Sequence, residues 1–351
     1  MSIIGRYKIT RLLSLTFPQI FYDIGFATKL LVVLFICFHS PASLHSQQEL
    51  YDDLFSVSFP NEMEGWACGR WGCILHTSDG GQTWVSQDSG TDFTLSSIYF
   101  VNSQNGWAVG DEGIIIHTND GGKTWRKQKG PVPYFLMDVL FITPLKGWIV
   151  TERTHILSTD DGGKNWIVQF YDEDYILKAI SFYDSQNGWT VGEYGCIYYT
   201  GDGGTTWEKQ GGYFDISEDT GDPVGGHFFF DVVAVDGQTA WVVGVDGYVA
   251  RTEDGGKHWV SVNSGVPETH LFCVISNYPD KVFIGGNGIL LASDDRGHTW
   301  KSLKINPPII YNWIYGIAQC GFSSGFVAVG SEGAIYLSVR EKDLMVWERV
   351  K

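Results

Sequence analysis

Cysteine is scarce in this 351-residue chain: there are six, and only Cys68, Cys73, Cys196, Cys273 and Cys320 follow Cys37. An odd, sparse set excludes a disulfide framework as the source of stability. Cys68 and Cys73 flank a short turn, and two readings stay open for them: small apolar strand residues, or a cross-strand disulfide. Long apolar runs are also missing. The run at 30–38 holds nine residues, whereas a membrane-spanning helix needs about 20. Arginine is thin beyond the first 46 residues, with Arg70, Arg126, Arg153, Arg251, Arg296, Arg340 and Arg349 dispersed along the chain. Few stretches carry the 3.6-residue apolar period of an amphipathic helix.

The short apolar run has the marks of an export signal. Lys29 precedes it, and the small, polar stretch 40–46 follows, which is the order of a cleaved leader. Cleavage is expected between Ala42 and Gln47, which makes 1–46 a leader and 47–351 the working domain, periplasmic or secreted. Arg6, Lys8, Arg11 and Lys29 against Asp23 make the leader basic, so the remainder is more acidic than the −16 of the whole chain. That field repels phosphate backbones and argues against a nucleic-acid partner.

What the chain does have is glycine (43) and aromatics (14 Trp, 17 Tyr, 21 Phe), the material of short strands and tight turns. They are arranged in a repeat. TSDGGQTW ends at Trp84 and TNDGGKTW at Trp125. TDDGGKNW, TGDGGTTW, TEDGGKHW and SDDRGHTW end at Trp166, Trp207, Trp259 and Trp300, and a degraded copy ends at Trp347. The intervals between these tryptophans are 41, 41, 41, 52, 41 and 47 residues. A period near 40 means one β-unit per repeat. Each unit reads as four short strands. In the second copy these are 95–100, 107–109, 114–118 and 125–128, the middle pair joined by a Gly-x-x-Gly hairpin. Seven four-stranded units arranged radially give an all-β, seven-bladed β-propeller. The first blade starts with its own strand at 54–59 and the last ends at 345–350, so closure is expected to rest on blade packing rather than on a strand borrowed from the other end.

The pattern [ST]-x-D-x-G-x-[TNH]-W is the Asp box, or BNR repeat. The fuller unit GWAVGxxGxIxxTxDGGxTW resembles the photosystem II stability/assembly factor family over residues 54–350. The resemblance implies a propeller that binds a protein partner and assists assembly of a membrane complex, through an arginine-bearing patch. Asp boxes also occur in sialidases, xyloglucanases and sortilin-like receptors, so fold alone does not decide function.

The Asp-box residues Asp79, Asp120, Asp161, Asp202, Asp254 and Asp295, with Trp84, Trp125, Trp166, Trp207, Trp259 and Trp300, read as scaffold. A turn Asp accepts hydrogen bonds from its own loop, and an active site needs one constellation rather than six copies around a ring. The Asp boxes share a face with the turns after each first strand. The opposite face carries the variable hairpin tips and the two long blade crossings, and binding surfaces are commonly grafted on such loops. Candidate binding residues there are Arg70, Trp71, Glu152, Arg153, Tyr194, Tyr213, Asp215, Asp219, Asp222, Tyr311 and Trp313. The acidic segment 215–222 reads as a plain loop or as a calcium loop, although its glycine is misplaced for a helix–loop–helix site. No catalytic residue, metal or cofactor is expected, and a single closed ring is expected to act as a monomer. The alternatives are a glycoside hydrolase, for which abundant acids leave a carboxylate pair open, and a non-catalytic carbohydrate-binding module.

Overall fold

The computed structural model describes residues 52–351 except 173–174, 213–214, 217–222, 225, 278–280, 321–324 and 342–343. The leader, Tyr213, Asp219 and Asp222 therefore lie outside the described residues. Seven blades follow one another around a ring, each a four-stranded antiparallel meander laid down in chain order from the inner strand outwards, with one strand added to the last. Blade 2 is typical, with strands Leu95–Phe100, Gly106–Gly110, Ile115–Thr118 and Arg126–Gln128. The fourth strand starts just after the Asp-box tryptophan.

Seven clusters of buried side chains hold the ring, one between each pair of neighbouring blades. In blades 2, 3 and 4 the first strand ends in phenylalanine, and its ring is what the preceding blade grips. Phe100 lies flat on Trp66 of blade 1, with centroids 3.6 Å apart and planes 8° from parallel, while Trp125 of its own blade meets it edge-on at 5.8 Å. Phe141 sits the same way between Trp107 (3.5 Å, 10°) and Trp166 (5.8 Å, 86°). Phe182 repeats the arrangement between Trp148 (4.0 Å) and Trp207 (6.0 Å). Stacked and edge-on contacts each satisfy the ring quadrupole while removing large apolar faces from water. The Gly-Trp dipeptide of the repeat follows from the same contact. A Cβ on Gly106 would lie 2.5 Å from the ring of Phe100, and one on Gly147 would lie 2.6 Å from Phe141.

The Asp box is a self-contained staple. In blade 2 the Thr118 hydroxyl donates to Asp120 Oδ1 (2.8 Å) and accepts the Gly122 N–H (2.8 Å). Thr124 donates its N–H to Asp120 Oδ1 (2.9 Å) and its hydroxyl to Oδ2 (2.7 Å). The turn is tied to the first turn of its blade by Gly121 N–H to Gln104 O (3.0 Å), and to blade 1 by Gln87 Nε2 to Gly121 O (3.1 Å). Both carboxylate oxygens are spent on the loop itself.

The ring closes by packing. Leu54–Ser58 remains the inner strand of blade 1, and Leu54, Ala67 and Leu75 pack against Val327, Val329 and Ile335 of blade 7. Asp53 adds a polar link, its Oδ1 accepting the Glu332 N–H at 3.1 Å. Blade 7, whose Asp-Gly-Gly turn is lost, gains a fifth strand: Lys304–Asn306, from the crossing that leaves blade 6, pairs in parallel with Leu344–Arg349. Cys68 and Cys73 are both free. They face opposite sides of their blade, Cys68 entering the core shared with blade 2 and Cys73 packing on the core shared with blade 7. Adjacent hairpin positions on opposite faces cannot bridge, so the apolar reading of the pair holds.

Two predictions follow from these contacts. Replacing Gly106 with Ala forces a methyl group into a ring clamped on both faces, and urea unfolding should show a loss of about 1–3 kcal/mol; Val85→Ala, at an exposed edge position, should stay within about 0.5 kcal/mol. Hydrogen bonds from the Thr124 hydroxyl and N–H hold the Asp120 carboxyl down at about 2. A depressed carboxyl stabilises the fold above its unfolded value of about 4 and loses that contribution as pH falls through the folded value. Stability should therefore drop between about pH 4 and 2, and Thr124→Val should flatten that limb.

Candidate functional site

On the hairpin-tip side the seven inner strands open into a cavity of about 530 Å³. A second cavity of about 350 Å³ continues towards the Asp-box side, and Ser56, Ser97 and Asp138 line both. The inner strands present two tiers of side chains here. Reading the residue after each first-strand Leu, Phe or Ile gives Phe55, Ser96, Met137, Lys178, Phe230, Phe272 and Tyr315. The next residue gives Ser56, Ser97, Asp138, Ala179, Asp231, Cys273 and Gly316. All fourteen line the tip-side cavity. The alternation of a strand places one tier towards the mouth and the other against the neighbouring blade.

The mouth tier forms an aromatic arc over blades 5, 6, 7 and 1. Phe230 meets Phe272 (5.0 Å between centroids), Phe272 meets Tyr315 (5.4 Å), and Tyr315 meets Phe55 (5.2 Å). Trp313 extends it outwards, 5.8 Å from Phe272 and 5.6 Å from Tyr315. The Arg70 guanidinium lies 5.6 Å over Phe55 and pairs with Asp53 at 2.9 Å. Cation and ring attract through the quadrupole, so Arg70 is held at the rim.

The lower tier carries two carboxyls. Asp138 accepts from Ser97 Oγ (2.7 Å) and from the N–H groups of Val139 (2.9 Å) and of Ile180 in blade 4 (3.0 Å). Asp231 accepts from the N–H of Val232 (2.8 Å) and of Val274 in blade 6 (2.8 Å). Each therefore clamps two blades at the channel wall. Burial pushes both carboxyls up, Asp231 to about 8 with repulsion from Asp138 contributing. Burial drives the Lys178 amine down, against the pull of the two carboxyls.

The structure brings some expected binding residues together and leaves others apart. Arg70 and Trp313 belong to the mouth through Phe55 and Tyr315. Trp71 is 68% exposed and Tyr311 is 87% exposed, both on the same side of the ring. Trp71 holds φ 54° and Tyr194 φ 53°, because the second tip residue is left-handed whatever its identity: Glu112, Asp246 and Glu332 adopt it too. Glu152 is used inside its own blade, where its carboxylate accepts the Phe135 N–H at 3.2 Å. Arg153 lies 5.0 Å over Tyr134, and Tyr194 packs edge-on against Tyr175 at 5.5 Å, so these tips form a separate patch on blades 3 and 4. Asp215 lies in a two-residue strand paired with Pro223–Val224; residues 217–222 of that acidic segment fall outside the described residues. Among the described residues no group of three or more His, Cys, Asp or Glu could hold a metal ion. Sequence reasoning missed the arc and the half-buried Asp138, Lys178 and Asp231, although the first-strand alignment LFSV, LSSI, LMDV, LKAI, FFDV, LFCV, IYGI carries the signal in its two middle columns.

Comparison with known proteins places this ring. The profile described as photosynthesis system II assembly factor YCF48 matches residues 40–133, 125–225 and 223–349. The chain belongs to the YCF48 assembly-factor family. Among solved structures, YCF48 bound to D1 peptide is 21% identical, with a TM-score of 0.67 over 83% of this chain and 93% of that one. YCF48 from Cyanidioschyzon merolae is 19% identical, with a TM-score of 0.66 over 82% and 95%. The Niastella koreensis GH74 enzyme reaches a TM-score of 0.65 at 12% identity, and this chain spans 54% of its length. At these identities the structural likeness shows the fold alone. The search of curated proteins finds no match.

The raised Asp231 carboxyl gives a test of the channel. The folded state keeps a proton that the unfolded state has released, so this group makes stability fall as pH rises from about 4 to 8. Asp138, Lys178 and Cys273 are the other titratable groups beside it. Urea unfolding at pH 5, 6.5 and 8 should show that slope, and Asp231→Asn should reduce it relative to the unaltered protein.

Proposed function

We propose that this YCF48-family propeller is a non-catalytic, protein-binding factor that works outside the cytoplasm and assists assembly of a membrane complex. The observation that carries the reading is the asymmetry of the ring. The Asp-box face is occupied by turns that consume their own polar groups, while the tip face gathers Arg70, Trp71, Tyr311 and Trp313 around an aromatic mouth. Large aromatics and arginine dominate the binding energy of protein interfaces, each able to contribute 2 kcal/mol or more at a hot spot. Family membership supports a protein partner, and one relative has been solved with a D1 peptide. The location rests on the charged, short-apolar, small-residue order of residues 29–46. Monomeric action rests on a ring that closes without a borrowed strand.

The glycoside hydrolase reading draws on the GH74 likeness and would need two free carboxyls across a groove. The two in the channel, Asp138 and Asp231, are bound to backbone N–H groups of adjoining blades, which favours a wall-building role. A carbohydrate module remains the non-catalytic alternative, since aromatic mouths also stack on sugars.

Affinity capture from membrane extracts of the source organism, with the tagged chain and its Trp71→Ala/Trp313→Ala double variant, tests the assignment. The variant should lose a partner at least about 30-fold, the equivalent of one 2 kcal/mol hot spot. Undiminished capture would move the interface off the tip face, and cleavage of a glycan panel would favour the hydrolase.

A further inference from the structure

The channel holds a cation whose ammonium has two carboxyls nearby but only a thioether as hydrogen-bond acceptor among the described residues. Lys178 sits in the mouth tier of blade 4, at the position where other blades place Phe55, Met137, Phe230, Phe272 and Tyr315. Its Nζ donates to Met137 Sδ at 3.8 Å, a weak acceptor for a group with three strong donors. It forms no ion pair among the described residues. The nearby carboxyls are not free to close on it, because Asp138 and Asp231 are pinned to the N–H groups of Val139, Ile180, Val232 and Val274. Structural lysines are ordinarily exposed or paired, and a half-buried one at a cavity wall with a thioether as acceptor raises the question of what completes it.

The surroundings narrow the answer. An incoming cation would meet Lys178 itself and carboxyls already engaged with backbone. An incoming anion would take the unused ammonium donors, strengthened by the low polarity of the site. The opposite wall is apolar, formed by Phe230, Phe272 and Tyr315, and the cavity of about 530 Å³ lies within the range of small-molecule sites. We propose that the tip-side channel is a binding site for a carboxylate carried on an apolar, aromatic-sized body, with the carboxylate on Lys178 and the body against the Phe230–Phe272–Tyr315 arc. The same chemistry is offered by a free organic acid and by the terminal residue of a polypeptide. The site does not depend on the tip face binding a protein partner.

Calorimetry with the full chain tests it, using 3-phenylpropionate and its neutral amide as probes, and a tripeptide ending in Phe as free acid or as amide. The unaltered protein should bind at least one acid about tenfold or more tightly than the matching amide, the scale of one charge-assisted contact. Lys178→Met should abolish that discrimination, Lys178→Arg should keep most of it, and Tyr315→Ala should weaken acid and amide alike. Preference for the free phenylpropionate assigns a small acid, and preference for the peptide acid assigns a chain end. Near-ultraviolet circular dichroism confirms that each variant keeps its packing. Equal affinity for acid and amide, binding of neither pair, or discrimination surviving in Lys178→Met would overturn the proposal.

Discussion

The aromatic sandwich between blades is the contact on which the remainder of this structure depends. Phe100, Phe141 and Phe182 each sit face-on to a tryptophan of the preceding blade and edge-on to a tryptophan of their own. One ring thus fixes the distance and the tilt between two sheets. The same sandwich is made at three successive joints, between blades 1 and 2, 2 and 3, and 3 and 4. The cost falls on the residue before Trp66, Trp107, Trp148 and Trp189, which is glycine because a phenylalanine of the same blade occupies the space of its Cβ; blade 5, whose first strand ends in Ala234, has Ala240 there. Blades with a different aromatic keep the principle: Trp241 meets Trp300 edge-on at 6.2 Å, and Phe283 packs on Phe326 at 4.4 Å.

The Asp box acts on the outer part of the same joint. Its carboxylate orders the turn that delivers the edge-on tryptophan, and glutamines of the fourth strands reach across to the next box, as Gln128 Nε2 does to Gly162 O at 2.8 Å. Blade 7 lacks the box and shows what replaces it. Trp347 is still buried, but an added parallel strand, Lys304–Asn306, lies beside the outer strand that carries it. The longer interval before Trp347 therefore has a structural use at the outer edge of the ring, as well as supplying Tyr311 and Trp313 to the tip side.

How much could be read beforehand follows from what repeats and what does not. Blade number, strand order, the scaffold role of Asp120 and its equivalents, and the two faces were legible because each occurs several times at fixed spacing. The mouth was not, because its residues come from seven strands some 40 residues apart and occupy columns of the repeat whose identity changes from blade to blade. Lys178 and Asp231 look like ordinary polar positions of an alternating strand until the ring brings them to one cavity. The tips misled in the other direction: Glu152 stands at an exposed hairpin, yet its carboxylate is committed to the Phe135 N–H. Cys68 and Cys73 were ambiguous because sequence spacing does not say which side of a blade each faces, and the packing answers that by dividing them between two cores.

A repeat protein makes its fold from the columns that stay constant and its site from the columns that vary. In the lower tier the variation runs Ser56, Ser97, Asp138, Ala179, Asp231, Cys273, Gly316. The two aspartates do what serines do at other joints, where Ser58 Oγ accepts the Phe100 N–H at 3.0 Å and Ser181 Oγ accepts the Ala234 N–H at 3.0 Å. A carboxylate in that role brings a charge that a hydroxyl does not, and burial makes the charge costly. Lys178, one tier up and close enough to stabilise both, offsets part of that cost. The three ionisable groups are thus more than decoration of a preformed channel. Two of them fasten blades 3 to 4 and 5 to 6, and the third offsets part of their field while its Nζ donates to Met137 Sδ. Joint and site are built from the same side chains, so a change to either is expected to be felt by the other.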